Sequence, residues 1–170
     1  MPRLFAFANV VDWINERLGK AGSFLILPMT GVVILEVIAR YVFNRPTIWA
    51  HESSELLFGA FSVFGLAYTH RLRGHVKVDV LYNRFSFRWR AVIDLITSLF
   101  FFFFCGVLLW KAGDFAWISL MRAEHSQTPW GPPLYPIKCL MWLGFFLMTL
   151  QGLAQFIRDL NTALTGREIK

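Results

Sequence analysis

Residues 22–43 read GSFLILPMTGVVILEVIARYVF and stop at Asn44-Arg45-Pro46. As a helix this stretch is about 33 Å long, enough for the roughly 30 Å hydrocarbon core of a bilayer. Glu36 and Arg40 are its only charges, and Pro28 and Gly31 are sites for a kink. The Asn-Arg-Pro break leaves so short a loop that the next helix must run back antiparallel. Three more apolar stretches follow, at about 49–70, 91–117 and 134–157. The expected fold is therefore all-α and integral to a membrane, a single domain over 1–170 with four transmembrane helices. Composition points the same way. Hydrophobic residues make up 56% and charged residues 16%, with eighteen Phe, seven Trp and a mean hydropathy of +0.49. Soluble chains carry about 25% charged residues, so a soluble enzyme, a disordered tail and a disulfide scaffold are all poor fits.

The flanks of the spans set the orientation. Before the first span, Leu4, Phe7, Val11, Ile14 and Leu18 share one helical face, opposite Asn9, Asp12, Glu16 and Arg17. That pattern predicts an amphipathic helix over 1–20 lying in the membrane interface, with Trp13 at headgroup depth. Gly19-Lys20-Ala21-Gly22 is expected to turn the chain into the first span. The apolar run Leu4 to Val11 is too short for a cleavable signal and ends in no small-residue site. Between the second and third spans, Arg71 to Arg90 is basic, and Val78, Leu81, Tyr82 and Phe85 fit a second interfacial helix. Arg3, Arg17, Lys20, the six Lys and Arg of the middle loop, Arg158, Arg167 and Lys170 lie on one side; Arg45, Lys111, Arg122 and Lys138 lie on the other. Twelve against four predicts that both termini and the middle loop are cytoplasmic. The net charge of +6 sits between hydrophobic spans, which suits a membrane face and its lipids better than nucleic acid.

Polar residues at bilayer depth are the candidate functional residues. Glu36 and Arg40 share one face of the first span, and Glu52 and Glu55, just after Trp49, share one face of the second. An isolated charge at the centre of a membrane helix costs at least about 2.5–3.5 kcal/mol, so these groups should be paired or turned toward protein or water. Antiparallel packing would bring Arg40 within reach of Glu52 or Glu55. The cluster then reads either as an ion or proton path or as an ion-pair clasp between helices or chains. No histidine lies deep in a span: His51 and His70 are near span ends, and His75 and His125 are in loops. A bis-His haem site is therefore implausible. Cys105 and Cys139 form no CxxC pair and read as small buried hydrophobes. No nucleophile-base, zincin or phosphate-loop pattern is present, so the chain is expected to be no enzyme and to hold no cofactor or metal. Gly74-His75-Val76-Lys77-Val78-Asp79 is the most distinctive polar motif; Gly74 suits a turn, and His75 and Asp79 share a face if a helix begins there.

Taken together, Arg40-Tyr41-Val42-Phe43-Asn44-Arg45-Pro46, then Trp49 and Glu52, then the Gly74–Asp79 motif, resemble the small membrane subunit, the DctQ-like component, of tripartite ATP-independent periplasmic (TRAP) transporters. The resemblance covers the chain from the first span to the fourth. Trp130-Gly131-Pro132-Pro133-Leu134-Tyr135-Pro136-Ile137-Lys138 is similar to a subgroup labelled for mannitol and chloroaromatic transport. His51, before Glu52, departs from the small polar or acidic residue expected there. The resemblance implies a multi-pass protein of the bacterial inner membrane. It also implies a large partner subunit of about a dozen helices that carries an organic acid and Na⁺, and a soluble periplasmic binding protein that delivers the substrate. In that setting the small subunit is a scaffold, and Glu36, Arg40, Trp49, Glu52 and Glu55 are candidates for contact with the large subunit. Arg45, Arg122, Glu124, His125 and Trp130 are candidates for docking the binding protein. The alternative is a small four-helix proton-coupled exporter that uses Glu36; the strong charge bias counts against it, because antiparallel dimers of such exporters need near-neutral bias.

Overall fold

The computed structural model describes residues 2–72 and 87–165, and within these five helices and no strand. They are α1 (Pro2–Ser23), α2 (Ile26–Tyr41), α3 (Ala50–Arg71), α4 (Phe87–Met121) and α5 (Tyr135–Thr165). Gly74, His75 and Asp79, and the second interfacial helix expected over Val78 to Phe85, lie outside the described residues. Three stretches are long and apolar enough to cross a membrane: Leu4–Tyr41, Val92–Met121 and Tyr135–Leu164. Helix α3 occupies the second expected span, but His51, Glu52 and Glu55 in its first turns make it more polar.

The largest departure from the sequence expectation is at the N-terminus. The chain does not turn at Gly19–Gly22; α1 continues through both glycines to Ser23. The break comes at Phe24–Leu25 instead, and Pro28 explains it. Proline has no N–H to give Phe24 O, so that carbonyl accepts from Leu27 at 3.1 Å and the turn tightens to three-residue spacing. Pro28 then sits in the first turn of α2, where a missing donor costs nothing. The two glycines serve packing. A side chain on Gly19 would overlap Tyr68, and one on Gly22 would overlap Phe64, so α1 runs antiparallel and close along α3.

The stripe of α1 that faces protein is also rotated from expectation. Ala8, Val11, Asn15, Gly19 and Gly22 are buried, whereas Leu4, Phe7, Val10 and Trp13 point outward. Small residues against protein and large apolar ones outward is the pattern of helices in lipid, where close backbone approach replaces a hydrophobic drive between helices. It recurs elsewhere. Gly144 of α5 meets Val63, Gly152 of α5 meets Phe101, and Ala67, Cys105 and Met148 form one core cluster. Helix α4 buries Cys105, Ala112, Ala116 and Ser119 and turns Phe100, Phe103, Trp110 and Trp117 outward. Both long helices outrun their expected spans: α4 stays helical past Trp117 to Met121, and α5 past Ile157 to Thr165. The packing order across the body is α2, α3, α5, α4, with α1 against α3 and α5, and α2 has no buried residue.

Candidate functional site

The polar side chains gather at the two ends of this body. At the end carrying Lys138, the outer end on the charge count, Glu36 is the hub. Its Oε1 accepts from Arg40 Nη2 at 2.6 Å and Nε at 3.0 Å, and its Oε2 accepts from Thr47 N at 3.1 Å and Thr47 Oγ1 at 2.5 Å. Thr47 Oγ1 in turn accepts from Ala50 N at 3.3 Å, which ties the first turn of α3 to the same group. Asn44, with φ of 50°, closes the end of α2, and Arg45 N donates to Ala39 O at 2.8 Å. Trp49 is half-buried beside this turn, and Ser53 Oγ donates to its carbonyl.

The expected bridge from Arg40 to Glu52 or Glu55 is not formed. Arg40 is used one turn back on its own helix, where the four-residue spacing holds the pair ready-made. Glu55 pairs with His51 Nε2 at 3.1 Å, with both side chains exposed. Glu52 turns to the loop between α4 and α5, where Ser126 Oγ donates to its Oε1 at 3.3 Å; its Oε2 is buried with no hydrogen-bond partner among the described residues.

That loop is an ordered hairpin-like flap. Ser126 N donates to Pro132 O, Leu134 N donates to Glu124 O, and Gly131 takes a positive φ of 62°. Lys138 Nζ meets Glu124 Oε2 at 2.5 Å and stands 4.3 Å over the Phe115 ring. The Lys138 ammonium, then the Ser119 hydroxyl, hold the Glu124 carboxyl below its ordinary range. Beneath the flap, Leu56, His125, Trp130, Pro132, Pro136 and Ile137 line an open crevice of about 550 Å³. Arg45, Arg122, His125 and Trp130 are exposed, so four of the five expected docking residues are free to meet a partner while Glu124 is engaged within the chain.

The second cluster went unrecognised in the sequence. Asn15, 1% exposed, donates to Gln151 Oε1 at 2.6 Å; Gln151, fully buried, donates to Asp12 Oδ1 at 2.7 Å; and Arg158 Nη2 reaches Asp12 Oδ2 at 2.7 Å and Asn9 Oδ1 at 3.2 Å. Arg71 of α3 joins through Glu16 Oε2 at 3.0 Å. The polar face of α1, expected to look into water, is thus turned onto α3 and α5. A polar residue deep in an apolar helix, Gln151, was the available signal. Among the described residues no three His, Cys, Asp or Glu side chains come together as metal ligands.

The arrangement is two closed polar clusters with apolar helix between them. A family description, "Tripartite ATP-independent periplasmic transporters, DctQ component", matches residues 29–162, most of the chain. The chain belongs to the DctQ family. It is a non-catalytic membrane component of TRAP transport, and the exporter reading falls with that assignment. Three relatives are similar in sequence. The sialic acid TRAP transporter permease protein SiaT of Haemophilus influenzae is 29% identical over 92 residues, 54% of this chain and 15% of SiaT. The isethionate TRAP transporter permease protein DctMQ of Oleidesulfovibrio alaskensis is 21% identical, with 92% of this chain and 26% of DctMQ aligned. The C4-dicarboxylate TRAP transporter small permease protein DctQ of Vibrio cholerae is 31% identical over 74 residues, 44% of this chain and 32% of its own length. This DctQ chain therefore spans less than a third of each of these relatives.

Proposed function

We propose that this chain is the scaffold subunit of a Na⁺-coupled TRAP transporter for an organic acid, with four crossings and both termini in the cytoplasm. In this reading it braces a large permease subunit that carries the substrate and the Na⁺. The observation that carries the reading is that the central carboxylate of each cluster is paired within the chain, although one Glu52 oxygen is left buried without a partner among the described residues. Glu36 is saturated by Arg40 and Thr47, and Asp12 by Gln151 and Arg158. Between the two clusters each helix offers only uncharged sequence: Lys20 to Glu36, Glu55 to Arg71, Asp94 to Lys111 and Lys138 to Arg158. Ion or substrate passage needs polar groups facing a path at the membrane midplane, often in broken helices that recur in a repeat. Among the described residues the one broken helix has its break in apolar sequence, at Phe24–Leu25. The four uncharged windows, roughly 23–29 Å of helix each, support four crossings, with α3 the second despite its polar first turns.

The partner reading draws on the relatives. DctMQ and SiaT are permease proteins several times longer than the stretch aligned to this chain, which fits a small and a large subunit joined in one polypeptide. The exposed apolar faces of α1 and α2, with Arg40 at their outer end, are the surface assigned to the large subunit. The exposed Arg45, Arg122, His125 and Trp130 are assigned to contact with the periplasmic binding protein. Reconstitution tests the scaffold role. Vesicles holding this chain alone should show no substrate uptake under a Na⁺ gradient, whereas addition of the large subunit and binding protein should restore it. Uptake by this chain alone, or a tagged chain that retains no larger membrane protein in mild detergent, would overturn the proposal.

A further inference from the structure

The four uncharged windows are not level with one another. His70, at the Arg71 end of α3, stacks on Phe101 of α4 with ring centroids 4.7 Å apart. Phe101 lies seven residues inside Asp94, so the charged end of α3 stands about 10 Å deeper along the body than the corresponding end of α4. The opposite ends give the same offset. Gly59 of α3 packs on Ile137, and Lys138, the next residue, stands over the Phe115 ring. Gly59 is about 6 Å inside Glu55, while Phe115, at the same level, is already about 6 Å beyond Lys111. On the far side of α3, Glu36 lines a groove with Ala50, about 7 Å beyond Glu55 in the opposite sense. The offset therefore runs in one direction across α2, α3, α5 and α4.

A membrane that met each helix at its own charges would have to follow that slope. We propose that the bilayer crosses this subunit obliquely, inclined by about 30° to its helices between α3 and α4 given helix spacings of roughly 9 Å. Tilt is set by packing and by polar anchors at the interface, and this subunit has both. The packing fixes the register of the helices, and Glu55, Arg71, Asp94 and Lys111 fix where each one leaves hydrocarbon. In an upright placement Lys111, which is exposed, would sit about 6 Å below the level of Lys138 beside uncharged α5 sequence, at a cost of a few kcal/mol. The oblique placement brings it to the surface. It leaves the exposed Phe115, Trp117, Ile118 and Met121 outside the hydrocarbon at the outer end of α4, an apolar cost that the charged anchors must outweigh.

The inference shares the membrane placement of the proposed function but not its orientation, and depth measurement separates the two. Nitroxide labels are placed on the full chain in lipid nanodiscs, with Cys105 and Cys139 replaced by Ala, at two pairs of residues at matched levels. Phe58 and Phe115 are 57% and 56% exposed, so both accept a label; Thr69 and Phe103 are likewise exposed. Relative accessibility to oxygen and to a nickel chelate gives the depth of each. The expected result is Phe115 in water with Phe58 in hydrocarbon, and Thr69 at the interface with Phe103 deep, each pair differing by about 10 Å. Should F115C fold poorly, W117C replaces it, about 3 Å further out and 62% exposed, and should also read as aqueous. Equal depths within each pair, to about 3 Å, would overturn the oblique placement. The result is the same whichever end faces outward, and a membrane-impermeant maleimide on F115C in intact cells reports the orientation separately.

Discussion

The two polar clusters of this subunit do different work, and sequence separation tells them apart. At the Arg158 end, Asp12, Asn15, Gln151 and Arg158 join residues 136 to 146 positions apart on α1 and α5, with Asn15 and Gln151 buried and Asp12 and Arg158 partly exposed. At the Lys138 end, Glu36, Arg40 and Thr47 lie within eleven positions, and His51 with Glu55 within four. The first network can exist only when the whole body is assembled. The Glu36 group needs little more than one helix and the turn after it, although the same end also ties Glu52 to Ser126 across 74 positions. Long-range polar contacts in a membrane body specify tertiary structure; local ones satisfy charges that the chain must carry through the bilayer anyway. If the contrast is real, damage at the two ends should differ in kind as well as size.

Asp12→Ala should have the largest effect. It leaves Gln151 without its acceptor and Arg158 without its carboxylate, a loss of about 2–3 kcal/mol for hydrogen bonds to a charged group. The expected readout is a lower melting temperature of the purified subunit and a reduced yield of the complex. Replacing the network as a unit, with Asp12→Leu, Gln151→Leu and Arg158→Met together, should recover part of that loss, because an apolar substitute leaves no buried group unpaired. A triple variant worse than Asp12→Ala would argue that the network acts by more than packing and pairing.

The second test is Glu36→Ala beside Arg40→Ala. Glu36 gathers four donors from two residues, whereas Arg40 supplies one of its two sides and is half exposed. Glu36→Ala should therefore loosen the α2–α3 turn and lower complex yield more than Arg40→Ala, while both change the melting temperature less than Asp12→Ala. Equal losses for the two would mean that Arg40, not Thr47, holds the carboxylate in place.

What the sequence could show of this follows the same division. The shared face of Glu36 and Arg40 was legible because four-residue spacing sets it whatever else the chain does, but the expected partner of Arg40 was Glu52 or Glu55 instead. The helix positions were legible because apolar length and charge punctuation survive any tertiary arrangement. The partner of Asp12 was not, since nothing local points across 146 residues to Arg158. Gly19 and Gly22 read as a turn because glycine breaks an isolated helix. In the folded body they are the places where α1 touches Tyr68 and Phe64. The true break was signalled by Pro28, whose missing N–H disrupts the turn before it, and the proline is the safer guide because its effect is covalent. Glu52 looked like a partner for Arg40 on helix geometry alone, and only the fold of the Ser126 flap shows why it turns away.

Acid should separate the loop from the helices. The Glu124 carboxyl is held below its ordinary value by Lys138, so its pairing stabilises the flap above that value and is lost as pH falls through the lowered one. The window lies below about pH 4.3, and a Glu124→Gln variant should lack it. Trp130 lies on this flap, so its fluorescence should shift in that range while the helix content, read by circular dichroism, stays constant. A shift that persists in Glu124→Gln would assign the transition to another carboxylate.

The smallest effect on the folded body is expected at exposed charges that form no salt bridge. Arg45 and Arg122 are exposed at the Lys138 end and have no carboxylate within ion-pair distance among the described residues. Their reversal to Glu should change the folding stability by no more than the roughly 0.5 kcal/mol usual for surface substitutions. Under the proposed docking role, uptake should nonetheless fall at low ionic strength and recover as salt rises, because exposed charges act mainly on encounter with a partner and are screened over about 10 Å at 0.1 M. The comparison to make is Arg122→Glu against Asp12→Ala. The first should slow delivery by the binding protein without lowering complex yield, and the second should lower yield without changing the salt dependence of whatever uptake remains. Uptake by Arg45→Glu and Arg122→Glu that matches wild type at every salt concentration would remove these charges from the docking surface and leave the subunit its bracing role alone.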